Sequence, residues 1–410
     1  MPEADSPVAP YTGPCIALVL TGGGARAAYQ VGVLRAVARL LPPNSPSPFP
    51  IICGTSAGAI NATALACGTH DFRRTVQELA GVWKEFRTHQ VYRSDALSVI
   101  GTGARWMSAL FVGGRGKRNP TSLLDNAPLA ALLAERLYLP GIQRGINAGH
   151  LLAISLTASG YTSGESVSFC QGASHLQGWR RARRVGLFTM LGLEHLLASS
   201  ALPFIFPAVS LHREYFGDGS MRQIAPLSPA LHLGAERLLV IGTGRAVGHV
   251  PERLKSTGYP SLAQIAGHAL NSIFLDQLET DLERLQRINR TISMVPGHLM
   301  RESGLQLRAV EVFTVLPSAP LESIAARYTL DLPRPIRMLF RGIGAMGRSG
   351  ATLASYLLFE RRYCRAAMRL GYEDAMRRKK ELAEFLGLRQ QETGEAGNEG
   401  RSEGEKESKA

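Results

Sequence analysis

Three glycine-bearing stretches hold the groups in this sequence that could do chemistry. Gly54-Thr55-Ser56-Ala57-Gly58 sets a serine between two glycines, after the apolar run 51–53 and before a small-residue helix pattern over 59–66. Strand, tight turn and helix are the setting in which G-x-S-x-G forms a nucleophile elbow. The hydroxyl stands at the apex of a strained turn, and the helix N-terminus behind it favours developing negative charge. Gly22-Gly23-Gly24-Ala25-Arg26 follows the apolar run 16–20 and opens a second helix, so its backbone N–H groups are available to an anion. Tyr215-Phe216-Gly217-Asp218-Gly219-Ser220 delivers a carboxylate, Asp218, into a third glycine turn. Asp-Gly alone is a common turn; its weight comes from the other two stretches.

The glycine-rich turn fits the dinucleotide pattern G-x-G-x-x-A, and that use requires an acidic residue at the end of the next strand to hold a ribose. No Asp or Glu occurs between Asp5 and Asp71, and the serine elbow stands where the acid belongs. A phosphate-binding Walker loop is excluded because no Lys-Ser or Lys-Thr follows the glycines. What survives is an oxyanion hole. The amides of Gly22, Gly23 and Gly24, centred on the last two and assisted by Arg26, would face the charge that develops on an ester carbonyl oxygen.

The elements that must position these groups read as α/β. The run 16–20 is continuous and apolar, as in a strand buried on both faces of a parallel sheet. Ala28, Val31, Leu34, Ala38 and Leu41 mark one face of the helix that follows, stopped by Pro42 and Pro43. Further helices are expected over 71–86, 129–137 and 194–200, and strands over 150–157, 166–170, 209–216 and 237–241. The span 186–209 reads as a buried helix followed by an extended segment. Between 88 and 120 the chain is irregular but holds Trp106, Met107, Leu110 and Phe111, as expected of a lid or of a surface excursion packed on the domain. Prolines and aromatics over 202–207 suit either the wall of an acyl-chain pocket or core packing. Beyond 234, a long amphipathic helix runs from Leu262 to Ile292, closed by Pro296. A strand follows over 309–316, then helical patterns over 335–346 and from 353, with Gly371 as a break. Residues 389–410 are mostly Glu, Gly, Ser and Lys and are expected to be disordered.

Composition narrows the class. With 410 residues and a net charge of +13, the chain has ample material for a core and a basic field that suits either a solvated arginine-rich surface or anionic lipid headgroups. The densest basic cluster, Trp179 to Arg184, carries an aromatic beside it, which suits a lipid interface or a solvated loop. No nucleic-acid motif accompanies the charge. The five cysteines are odd in number and widely spaced, which points to reduced thiols in a cytoplasmic setting, and they show no metal-ligand spacing. Residues 1–14 lack a secretory pattern and read as a flexible N-terminus.

Together the three stretches resemble the patatin-like phospholipase family, whose signature is a glycine-rich oxyanion loop with a basic residue, a G-x-S-x-G elbow on the next strand and a later D-G-G or D-G-A. The resemblance covers roughly 15–233, with Ala27 and Ser220 as departures that remove no reacting group. It implies a three-layer α/β/α fold with a parallel-dominated central sheet, a catalytic domain over 15–233 and a mainly helical extension over 234–388. It also implies a Ser-Asp dyad of Ser56 and Asp218 acting on a lipid ester, with no metal or organic cofactor. Gly54, Gly58 and Gly219 shape the elbow and the acid turn. Two alternatives stay open. His232, His249, His268 and His298 follow Asp218 and could complete a triad, and a chain of this fold could bind lipid without turnover.

Overall fold

A computed structural model describes residues 14–95, 122–244, 259–296, 308–347 and 350–388. The expectations for the N-terminus, for most of the lid over 88–120, for His249 and His298, and for the tail from 389 lie outside the described residues. Among the described residues ten strands form one sheet: β1 (Ile16–Leu20), β2 (Ile51–Thr55), β3 (Ala153–Gly160), β4 (Ser166–Gly172), β5 (Trp179–Arg181), β6 (Arg184–Phe188), β7 (Val209–Leu211), β8 (Glu214–Asp218), β9 (Arg237–Ile241) and β10 (Glu311–Val315). Their order is β10-β9-β1-β2-β3-β4-β6-β5, with β8 paired to β3 and to β7. The five strands from β10 to β3 are all parallel, and the far side is mixed. Parallel strands bury both faces. In β1, Ile16, Leu18 and Leu20 enter one core while Ala17 and Val19 enter the other.

Helices cover both faces, which makes three layers. In chain order they are α1 (Ala28–Leu40), α2 (Ala57–Cys67), α3 (Phe72–Lys84), α4 (Ala127–Arg136), α5 (Pro140–Asn147), α6 (Leu193–Ser199), α7 (Ser228–His232), α8 (Leu262–Asn271), α9 (Gln277–Met294), α10 (Leu321–Ala326), α11 (Arg334–Gly342), α12 (Ala351–Leu357), α13 (Arg361–Arg377) and α14 (Lys379–Phe385). Asp71 caps α3, its Oδ1 accepting the Arg74 N–H at 3.0 Å. On the second face, Leu227 and Ala230 of the α7 region pack with Leu278, Leu282 and Leu285 of α9.

Several expectations change. Residues 209–216 are not one strand but the hairpin β7–β8, because His212 takes a φ of 54° and reverses the chain. The basic cluster at 179–184 is likewise a hairpin, turned at Arg183 with φ 57°. Within 186–209, Arg184–Phe188 is a strand that pairs β4 before helix α6 begins. The long C-terminal helix contains a π turn, Ser272–Asp276, between α8 and α9.

Gly371 does not break a helix; it lies inside α13. A Cβ there would collide with the Tyr29 carbonyl of α1, and a Cβ on Gly32 of α1 would collide with the Met368 carbonyl of α13. The two helices therefore cross backbone against backbone, and the C-terminal segment packs directly on the helix that follows the first glycine loop. Gly371→Ala should force these helices apart and cost about 1–3 kcal/mol. Thermal denaturation checks this, and an unchanged midpoint would contradict the close crossing.

Candidate active site

Ser56 caps α2 with φ 57° and ψ −131°, a strained pair for a residue with a side chain, and is 2% exposed. Bonds to residues distant in sequence hold the strain. Its N–H donates to Ser199 Oγ at 3.0 Å, and that hydroxyl donates to the Thr157 carbonyl at 2.6 Å. Gly58, the second residue of α2, lies against the Leu20 and Thr21 carbonyls where a Cβ would not fit, so the helix N-terminus approaches the end of β1 closely. Gly54 sits within β2 opposite Leu156 of β3.

Asp218 reaches the same place from the opposite direction. β2 pairs with β3 up to Thr55 opposite Thr157, and β8, antiparallel, pairs with the same edge of β3 beginning at Asp218 opposite Ala158. The two strands occupy one lane of the sheet and meet end to end on adjacent rungs. Gly219 makes the junction possible, because a Cβ there would collide with the Thr157 carbonyl. Asp218 N–H donates to the Ala201 carbonyl at 2.8 Å, and Oδ1 accepts the Ser220 N–H at 2.9 Å. Gln223 ties the lanes together, accepting from Thr55 Oγ1 at 2.8 Å and donating to Thr157 Oγ1 at 3.2 Å.

The carboxyl group is fully buried, and burial pushes its pKa from 3.8 up to about 6 against the opposing pull of the Ser56 hydroxyl and the Ser220 amide and hydroxyl. Both hydroxyls lie close enough to favour the carboxylate, yet among the described residues Oδ2 and Ser220 Oγ find no hydrogen bond of normal geometry. Loose contacts of this kind suit a resting site that tightens around a substrate.

The first glycine loop lies alongside. Gly24, with φ 54°, begins a 3-10 turn over Gly24–Ala27 and has the Tyr356 carbonyl where a Cβ would stand. Gly22 faces Ser220 Oγ and the Phe274 ring, and Gly23 faces Thr243. Among the described residues the Gly23 and Gly24 amides have no acceptor, whereas the Arg26 N–H is bonded to the Gly23 carbonyl at 3.1 Å. Here the expectation for Arg26 is corrected. Its guanidinium is 1% exposed, donates from Nε to Ser355 Oγ at 2.7 Å and lies 4.0 Å from the centroid of the Tyr356 ring. Its partners lie in the C-terminal helices, because that is where a buried cation finds a hydroxyl, a carbonyl and an aromatic face together.

Of the histidines that follow Asp218, His232 stacks on Trp179 at 4.9 Å and is bonded through Nδ1 to the Ser228 carbonyl, and His268 is exposed on α8. The thiols are poor competitors as nucleophiles, with burial pushing both Cys67 and Cys170 up to about 12. Ser199, Gln223, Phe274 and Tyr356 escaped the sequence reading. Each reaches the site through strand register or helix packing, and none stands in a motif.

The family model described as patatin-like phospholipase matches residues 18–231. No curated protein matches the chain. Among solved structures the chain is similar to VipD from Legionella pneumophila, at 12% identity and a TM-score of 0.35, over 92% of this chain and 67% of that one. It is also similar to human GIVD cytosolic phospholipase A2 in complex with methyl gamma-linolenyl fluorophosphonate, at 12% identity and a TM-score of 0.42, over 91% of this chain. The match spans 58% of the human chain, less than two thirds of its length. A third is full-length ExoU of Pseudomonas aeruginosa in complex with SpcU, at 14% identity and a TM-score of 0.25, over 92% of this chain and 80% of that one.

A buried carboxyl with a raised pKa makes the folded state prefer the proton. Between pH 3.8 and about 6 the unfolded chain releases that proton while the native protein keeps it, so stability falls as pH rises through this window. Asp218→Asn removes the cost of the buried charge. At pH 8 the variant should exceed the parent in unfolding free energy by at most about 3 kcal/mol, with the gap closing by pH 4. Denaturant titrations at the two pH values check this; a variant less stable at pH 8 than at pH 4, relative to the parent, would contradict it.

Proposed function

The chain belongs to the patatin-like phospholipase family, and we propose that it is a lipid acyl hydrolase that cleaves acyl esters of phospholipids or related lipids through an acyl-enzyme on Ser56, with Asp218 as the base. The observation that carries this proposal is the end-to-end meeting of β2 and β8, which sets a strained serine beside a buried carboxyl group. In the first half-reaction Ser56 Oγ attacks the acyl carbonyl carbon and passes its proton to Asp218. The carbonyl electron pair moves onto oxygen, where the amides of Gly23 and Gly24 receive it. Collapse expels the alkoxide of the lysolipid or alcohol, which takes the proton from Asp218. Water then attacks the Ser56 ester, gives a proton to Asp218, and the fatty acid leaves as Ser56 recovers its hydrogen. A carboxyl group near pH 6 in pKa is a better base than an exposed aspartate and is still ionised at neutral pH.

Peripheral contact with a lipid surface at the same end of the sheet is part of the proposal. β3 runs parallel to β2, so the turn after Gly160 stands beyond Ser56. β4 and β6 start at that end, which brings the Arg183 turn there, and the antiparallel β8 puts the His212-Arg213 turn there too. These turns expose Arg181, Arg183 and Arg213 beside Tyr161 and Tyr215. Cations and amphipathic rings together suit a headgroup layer. Among the described residues no helix is long and apolar enough to cross a membrane.

Ser56→Ala and Asp218→Asn should each lower ester turnover by on the order of 10³-fold or more without loss of folding. A fluorophosphonate probe should label Ser56 in the parent and nothing in Ser56→Ala. The acid limb of kcat/KM should fall with an apparent pKa near 6. Retained turnover in Asp218→Asn, or its loss on replacing His249 or His298 by alanine with folding intact, would displace the dyad. In co-sedimentation, vesicles containing anionic lipid should retain more protein than phosphatidylcholine alone, and Arg183→Glu with Arg213→Glu should remove the difference. Absence of binding to either vesicle would sink the peripheral contact.

A further inference from the structure

The C-terminal helices lie outside residues 18–231, the span that the family model matches. They nevertheless hold the glycine loop from behind. Arg26, two residues past Gly24, is buried, and its guanidinium meets Ser355 Oγ at 2.7 Å, the Thr352 carbonyl at 3.5 Å and Glu322 at 3.9 Å. Ser355 Oγ in turn donates to the Thr352 carbonyl at 2.6 Å, so the end of the cation is held by α12 itself.

Tyr356 lies at the centre of this arrangement. Its ring has the guanidinium on one side, 4.0 Å from the centroid, and the Phe274 ring on another at 5.1 Å. Its hydroxyl donates to Asn271 Oδ1 at 2.9 Å, which ties α12 to α8. Its carbonyl fills the space a Cβ would need on Gly24, while Phe274 does the same for Gly22. Gly22 and Gly24 are thus each backed by a residue from the C-terminal half. A cation that is 1% exposed, stacked on an aromatic face and bonded to a hydroxyl, has little freedom to turn toward the serine.

We infer that Arg26, Ser355 and Tyr356 are positioning residues for the oxyanion loop, which makes the C-terminal helices a working part of the active site. The inference rests on the hydrolase proposal for its readout. Positioning of this kind acts on the transition state, because a displacement of the loop amides by about 1 Å weakens contacts to the developing oxyanion and leaves substrate affinity largely intact; such misplacements cost about 10²-fold.

The test uses the full chain with a soluble short-chain ester and a fluorophosphonate probe. Ser355→Ala and Arg26→Lys should lower kcat and the rate constant for Ser56 labelling together by about 10- to 100-fold, with KM within about twofold. Ser355→Thr, which keeps the hydroxyl, should restore both. Tyr29→Phe is the control for a merely structural tie. It removes the 2.9 Å bond from α1 to Asp374 of α13 and leaves the glycine loop's own contacts in place. It should lower the thermal midpoint and leave kcat unchanged. Parent-like kcat and labelling in a folded Ser355→Ala would overturn the inference, as would a kcat loss in Tyr29→Phe equal to that in Ser355→Ala. Should the parent itself resist labelling at Ser56, the hydrolase proposal fails and takes this inference with it. Labelled parent protein with equally fast labelling of Ser355→Ala overturns the inference alone.

Discussion

One edge of β3 is shared by two strands that run toward each other, and the rest of the site depends on that sharing. Thr157 pairs with Thr55 and the next residue, Ala158, pairs with Asp218. A shift of either pairing by one rung would move the acid about 3.3 Å along the strand and turn its side chain to the other face. The bonds around the junction resist such a shift. Gln223 spans Thr55 and Thr157, Ser199 joins the Ser56 amide to the Thr157 carbonyl, and Ser159 Oγ donates to the Gly219 carbonyl at 3.1 Å.

This junction is built at the expense of stability. A serine in a left-handed conformation and a carboxyl group cut off from water are both unfavourable, and the surrounding core must hold them. That core is large on both faces of the sheet. The parallel strands are buried throughout at β1 and β2, and α1 meets α13 at glycines on each side. The strain is therefore carried by long-range packing, which is why Ser56, Asp218 and the glycine loop converge at one end of the sheet.

How much of this is legible in the sequence varies by residue. Ser56, Asp218 and the loop glycines stand in short patterns whose chemistry is local, and the apolar runs of β1, β2 and β9 announce buried strands. The hairpins at Arg183 and His212 were hidden because neither turn carries the glycine or asparagine that positive φ usually draws. Gly371 misled for the opposite reason. A glycine within a helical pattern suggests a break, but here it marks where two backbones touch.

The sequence by itself singled out the candidate reacting groups and the class of turn that holds each, since a serine between glycines after an apolar run has few conformations open to it. It also argued against a dinucleotide site at the first glycine loop, because no Asp or Glu lies between Asp5 and Asp71, where the next strand would have to supply one. Only the tertiary structure decided which edge of β3 the acid would join and where Arg26 would go. Arg26 meets Ser355 across 329 residues of chain. A partnership at that distance is set by strand order and helix packing, and no local pattern of residue types carries it.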